Sequence, residues 1–298
     1  MKKVVSLSLG SSKRDKTVTA TLLGETFEIS RVGVDGDQVE FVKRLKELDG
    51  TVDAIGFGGM DRYLWSEGRR YEFVAAKKLL EGAVKTPVLD GSGLKNTLER
   101  ETVRRLAESG TVDFKNNKTL IVSAVDRFGM AEALIEQGGK LCFGDLMFGL
   151  GLPIAIQSPG AFKVVARTLL PIVVRMPLEQ LYPTGEKQNT IDPKWQKWYA
   201  WADILAGDFL YIRRHMPDDL KGKTILTNTT TEADMEELKK RGVARVITTT
   251  PNFDGRSFGT NVMEALLTAL HGGRTLSEEE YLETLKKLDW TPTVTLLT

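Results

Sequence analysis

Histidine, cysteine and net charge are the scarce quantities in this 298-residue sequence, and each scarcity excludes a class of function. The two histidines, His215 and His271, are too few for a histidine-based metal centre, and neither sits in a recognisable nucleophile–base pattern. A lone Cys142 excludes an intramolecular disulfide and suits a reducing compartment. With Lys+Arg at 41 against Asp+Glu at 40, the net charge of +1 gives no electrostatic footing for DNA, RNA or a membrane surface. No apolar run approaches the roughly 20 residues of a membrane span. The N-terminal run is broken by serines and reaches Lys13-Arg14-Asp15 too soon for a secretory signal, so the expectation is a cytoplasmic protein without metal.

What is present has the composition of an ordinary globular enzyme, 41% apolar and 27% charged, at a length that favours two domains. Residues 1–112 read as β-β-β-α-β-α-β-α. Val4 to Leu9 is the first strand, and Thr17 to Leu23 with Thr26 to Val32 forms a hairpin around Gly24-Glu25. A helix from Gln38 to Leu48 stops at Gly50, and Val52 to Gly56 reads as a buried strand. Residues 113–298 alternate strand and helix more plainly. Thr119 to Val125 is an apolar run suited to a parallel strand, and a helix from Met130 to Gln137 ends at Gly138-Gly139. Ile172 to Arg175 and Ile204 to Ile212 read as strands. Ser277-Glu278-Glu279-Glu280 opens a final helix with a capping-box pattern, free to pack back on the first domain. The expected fold class is α/β: a Rossmann-like doubly wound parallel sheet preceded by a smaller mixed α/β domain.

Five segments carry candidate sites. The turn Ser11-Ser12-Lys13-Arg14 after the first strand offers backbone N–H groups and two cations to an anion, and also suits a solvated hairpin turn. Gly58-Gly59 with Asp61 follows a second buried strand, where glycines let a ligand or another backbone come close. Asp90-Gly91-Ser92-Gly93 leads into a helix whose N-terminus favours an anion, with Asp90 and Lys95 placed to face each other across the loop. A lysine beside a carboxylate can move a proton to or from a hydroxyl if burial lowers its pKa. Asp126-Arg127-Phe128-Gly129 stands where a dinucleotide fold carries its glycine fingerprint, and only Gly129 of that fingerprint remains. Asp145 follows the next strand at the distance where an acid grips a ribose hydroxyl. Finally, Asn228 and Thr229 on one strand end, with Arg256 and Asn261 at a helix start, make a polyol or carboxylate pocket or else ordinary caps. Trp195, Trp198, Tyr199 and Trp201 form an aromatic run suited to core packing or a homo-oligomer interface.

The segments SLGSSKRDKTV (8–18), GFGGMDRYL (56–64), TPVLDGSGLKNTLER (86–100), DRFGMAEAL (126–134), FGDLMFGLGLP (143–153) and TPNFDGRSFGTNVMEAL (250–266) together resemble a bacterial family labelled quinate 5-dehydrogenase, over nearly the whole chain. The resemblance implies an oxidoreductase that passes a hydride from a hydroxylated cyclic carboxylic acid to NAD or NADP. It maps catalysis to Lys95 and Asp90. Cofactor contacts would fall on Asp126, Arg127, Gly129, Asp145 and Thr229. Substrate or anion contacts would fall on Ser11, Ser12, Lys13, Arg14, Gly58, Gly59, Asp61, Ser92, Asn228, Arg256 and Asn261. The sequence lacks the Asn-Val-Thr-x-Pro-x-Lys and Asn-Thr-Asp-x-x-Gly segments of shikimate and quinate dehydrogenases. Two other readings stay open: a nucleotide-dependent phosphotransferase or ATPase using the Gly10–Arg14 turn, and a non-enzymatic small-ligand-binding protein.

Overall fold

The computed structural model describes residues 1–177, 191–250, 252–253, 256–257 and 259–297, with the backbone alone at 14, 252–253 and 256–257. The chain opens with β1 (Lys2–Ser8), then the hairpin of β2 (Lys16–Leu22) and β3 (Glu25–Gly33), and α1 (Gln38–Leu48). Asp37 caps α1 by accepting from the N–H groups of Val39 and Glu40. Next come β4 (Ala54–Gly58), a short hairpin of β5 (Tyr63–Ser66) and β6 (Arg69–Glu72), α2 (Val74–Leu80), β7 (Val88–Leu89) and α3 (Ser92–Glu108). The first sheet has the order β2-β3-β1-β4-β7, parallel except for the β2–β3 hairpin.

The second sheet begins with β8 (Lys118–Ile121), α4 (Phe128–Gln137), β9 (Lys140–Phe143), α5 (Asp145–Phe148) and α6 (Pro159–Val173). It continues through α7 (Gln196–Trp201), β10 (Ile204–Ala206), α8 (Phe209–His215), β11 (Thr224–Thr227), α9 (Glu232–Lys240) and β12 (Arg245–Thr248). After the two-residue strands β13 (Asn252–Phe253) and β14 (Arg256–Ser257), α10 (Thr260–Leu270) and α11 (Glu278–Lys287) return to the first sheet. There Leu266 and Leu285 join Val4, Phe27 and Leu94 in one buried cluster. β15 (Thr293–Leu296) then crosses back and pairs antiparallel with β12, giving the order β15-β12-β11-β10-β8-β9.

The protein is therefore mixed α/β with two largely parallel sheets, each contributing to a half of the molecule. The halves interlock. Trp65 N–H donates to the Val125 carbonyl at 3.1 Å and Val74 N–H to the Val174 carbonyl at 3.0 Å, while one apolar cluster joins Leu7 and Phe41 to Ile121 and Phe143. Two sequence-based strands are corrected. Residues 172–173 end α6, which starts on a Ser158 cap with Pro159 in its first turn. The Ile204–Ile212 run splits into a three-residue strand and α8, because Gly207 adopts φ +128° and Asp208 caps the helix by accepting from Leu210 N–H. Among the described residues, no helix is long and apolar enough to cross a membrane.

Candidate functional site

Parallel strands place their C-terminal ends on one edge, and ligands bind outside that edge where neighbouring crossovers diverge. In the second sheet β9 and β10 lie on opposite sides of β8, so the turn after β8 and the turn after β10 flank this opening. The ends of β1 and β4 face it from the first sheet. Between them lies a cleft of about 360 Å³, lined by Ser6, Ser8, Gly58, Gly59, Asp61, Asp90 and Lys95 from the first half. The second half supplies Asp126, Arg127, Asp208, Tyr211, Arg214, Asn228 and Thr229, and Asn261 at the start of α10 completes the rim.

Buried charge forms the floor. Lys95 on α3 donates to Asp61 Oδ1 at 2.6 Å and to Asp126 Oδ1 at 2.7 Å, across the two halves. Arg127, 2% exposed, donates to Glu99 Oε1, to Asp126 Oδ2 at 3.1 Å and to Asp208 Oδ2 at 2.7 Å. Asn228 Nδ2 adds a 3.1 Å bond to the same Asp208 oxygen. Burial opposes the charge of Lys95, yet Asp126 and Asp61 outweigh it and hold the ammonium well above its usual range. Burial likewise pushes Asp126 up, but Lys95 and Arg127 keep it well below the usual carboxylate range. Asp61 is pushed up to about 7 by burial and by the neighbouring Asp126 charge. A lysine clamped in this way stays protonated, so it does not serve as a general base near neutral pH.

The structure draws together ten of the residues singled out from sequence: Gly58, Gly59, Asp61, Asp90, Lys95, Asp126, Arg127, Asn228, Thr229 and Asn261 all line the cleft. The remaining residues, and the expected pairing of Lys95 with Asp90, come out differently. Asp90 is held by the backbone, accepting from the N–H groups of Arg62 at 2.8 Å, Tyr63 at 3.1 Å and Ser92 at 3.1 Å, so Lys95 pairs with Asp61 and Asp126 instead. Ser92 is buried at the start of α3, its N–H spent on Asp90. The Ser11–Arg14 turn does not line the cleft, although the Ser11 carbonyl accepts from the lining Arg31 at 2.8 Å. Ser12 bonds to Asp35 through both N–H and hydroxyl, Ser11 accepts from Lys13 N–H, and the Arg14 side chain lies outside the described residues. The Arg256 side chain also lies outside them; its backbone belongs to β14.

At the turn expected to hold a dinucleotide, Gly129 and Asp145 are engaged by the protein's own backbone. Gly129 is needed for helix packing, since a Cβ there would sit 2.1 Å from the Asn96 carbonyl oxygen where α4 crosses α3. Asp145 accepts from Val125 N–H at 2.9 Å, behind the turn, and lines a separate apolar cavity. Among the described residues, no group of three or more His, Cys, Asp or Glu is arranged to hold a metal ion.

Sequence reasoning missed Glu99, Asp208, Tyr211 and Arg214. Glu99 follows Lys95 by four residues and so shares its helix face, a signal that was available. Asp208 was hidden inside the run read as one long strand.

No curated protein matches the chain. Several solved structures share low similarity with it. An ABC transporter solute-binding protein from Burkholderia multivorans is 13% identical, covering 99% of this chain and 98% of its own, with a TM-score of 0.39. GanP, a glucose-galactose binding protein from Geobacillus stearothermophilus, is 12% identical over 99% and 97%, with a TM-score of 0.41. A periplasmic solute-binding protein from Actinobacillus succinogenes 130z with bound D-allose is 10% identical over 95% and 100%, with a TM-score of 0.38. The oxidoreductase expectation is corrected at the site itself, where the lysine assigned to proton transfer is locked between two carboxylates. Residues 3–90 match the family described as Domain of unknown function (DUF8753). Residues 93–297, more than two-thirds of the sequence, match a second description, and the chain belongs to that family, Domain of unknown function (DUF8754).

Proposed function

We propose that the protein binds a compact hydroxylated small molecule carrying one carboxylate, without chemical conversion. The observation that carries this reading is an unpaired guanidinium in the cleft. Lys95 and Arg127 are held by four acids, Asp61, Asp126, Glu99 and Asp208, and Arg31 pairs with Asp15 at 2.7 Å. Arg214 lines the same cleft with no side-chain hydrogen bond or ion pair among the described residues, leaving its guanidinium fork for a ligand carboxylate. Ser8, Asn228, Thr229 and Asn261 supply the mixture of donors and acceptors that hydroxyl groups require. The volume of about 360 Å³ lies within the usual range for small-molecule sites.

The test is a thermal-shift and calorimetry panel of quinate, glucuronate, glucose, NAD⁺, NADP⁺ and ATP with Mg²⁺. A ligand at 100 times its dissociation constant adds about 2.7 kcal/mol of stability. Quinate or glucuronate is expected to raise the melting temperature, and Arg214→Gln to abolish that rise while leaving the unliganded melting temperature unchanged. Glucose binding as tightly as glucuronate would remove the carboxylate from the proposal. Stabilisation by nucleotides alone, or by nothing in the panel, would overturn it.

A further inference from the structure

A second cavity, of about 90 Å³, lies beside the cleft and shares Asp61, Asp126 and Tyr211 with its wall. Its body is apolar, built from α6 through Phe162, Ala166 and Leu170 together with Phe73 across the halves. Its polar end has an unusual composition: three carboxylates, of Asp61, Asp126 and Asp145, the Ser123 hydroxyl and the Tyr211 phenol, with no Lys, Arg or His among the lining residues. Asp145 is the group left over. Its Oδ1 accepts from Val125 N–H, while its Oδ2 is shielded from solvent and has no hydrogen-bond partner among the described residues. Burial pushes this carboxyl up to about 7, the sign of an acceptor that lacks a compensating cation. A desolvated carboxylate without a partner is costly, and a donor carried by a ligand removes that cost.

We propose that this cavity is a second binding site that takes a small aliphatic amine, its ammonium on Asp145 Oδ2 and its hydrocarbon against α6. The inference is independent of the ligand proposed for the cleft. Size narrows the class: a cavity of roughly 150 Å³ accepts benzene, so the smaller space here suits a branched chain of a few carbons. Charge narrows it again, because an anion would meet the unpaired Asp145 carboxylate and a neutral alcohol would leave its charge uncompensated.

The test uses three probes of one shape, isobutylamine, isobutanol and isobutyrate, titrated calorimetrically into the full chain at pH 8. Isobutylamine is expected to bind, and isobutanol to bind roughly tenfold more weakly or not at all. Asp145→Asn keeps the oxygen that accepts from Val125 N–H and removes the charge; it is expected to weaken the amine by roughly tenfold or more. Ala166→Leu fills the cavity from α6 and is expected to abolish binding, which keeps the proposal decidable if Asp145→Asn fails to fold. Equal binding of amine and alcohol, no binding of the amine to the natural protein, or undiminished binding to a folded Ala166→Leu variant would each overturn it.

Discussion

Glu264 on α10 is 4% exposed, accepts from the Tyr281 hydroxyl at 2.9 Å through Oε1, and has no partner for Oε2 among the described residues. Burial, with the Asp90 charge nearby, pushes its carboxyl from 4.5 up to about 7. The folded protein then holds a proton that the unfolded chain releases, so stability falls as pH rises from about 4.5 towards 7 and stays lowered above it. Glu264→Gln removes the titrating group. The variant is expected to gain a few kcal/mol over the natural protein at pH 8 and little at pH 5. Urea unfolding at both pH values measures this, and an equal difference at the two would refute the assignment. At this scale the sequence was half legible. Asp126-Arg127 after a buried strand stood out as polar residues at a ligand-facing edge, and both line the cleft. Their partners did not stand out, because Glu99 and Asp208 approach from residues 28 and 81 positions away, a pairing that only tertiary structure sets.

Helices α3 and α4 cross at Gly129, where the missing side chain lets the Asn96 carbonyl approach. Gly129→Ala puts a methyl group 2.1 Å from that oxygen, so the helices must separate, at a cost of about 2–3 kcal/mol. Gly160→Ala serves as the control. Its Cβ would find only Ser158 Oγ, at 3.8 Å, and it lies in the first turn of α6, so the change is expected to be neutral or slightly stabilising. Melting temperatures of the two variants, compared side by side, decide the point. Elements with strong local signals were readable from the sequence: the hairpin turning at Gly24 and the helix closed by Gly138 both appear where patterning placed them. The β5–β6 hairpin carries little local signal and was missed. The reading of 204–212 as one strand failed because a buried strand followed by an amphipathic helix presents one continuous apolar run.

Across the whole molecule, the Lys95–Asp126 and Arg127–Glu99 contacts join the two halves through groups withdrawn from water. Removing one member of such a network leaves the others uncompensated, typically at 3–5 kcal/mol. The natural protein is therefore expected to unfold in a single transition by both circular dichroism and tryptophan fluorescence. Arg127→Met should lower the urea midpoint by an amount equivalent to about 3 kcal/mol. Separate transitions in the natural protein would show that the halves are energetically independent. The alternation of strand and helix foretold the parallel sheets and left the final helix free to pack back on the first domain, but did not foretell the return of α10 or the pairing of β15, since capping and periodicity say where an element starts and not what it packs on. That return has a consequence for biosynthesis. The first half is completed by α10 and α11, and the second by β15, all of which follow residue 259. Domains of a nascent chain ordinarily fold in turn as they emerge, at about 5–20 residues per second. Here neither half can close until residues 260–296 have emerged. A stalled or truncated nascent chain would present two unfinished sheets, with the edge of β12 uncovered, and would be a natural client for chaperones.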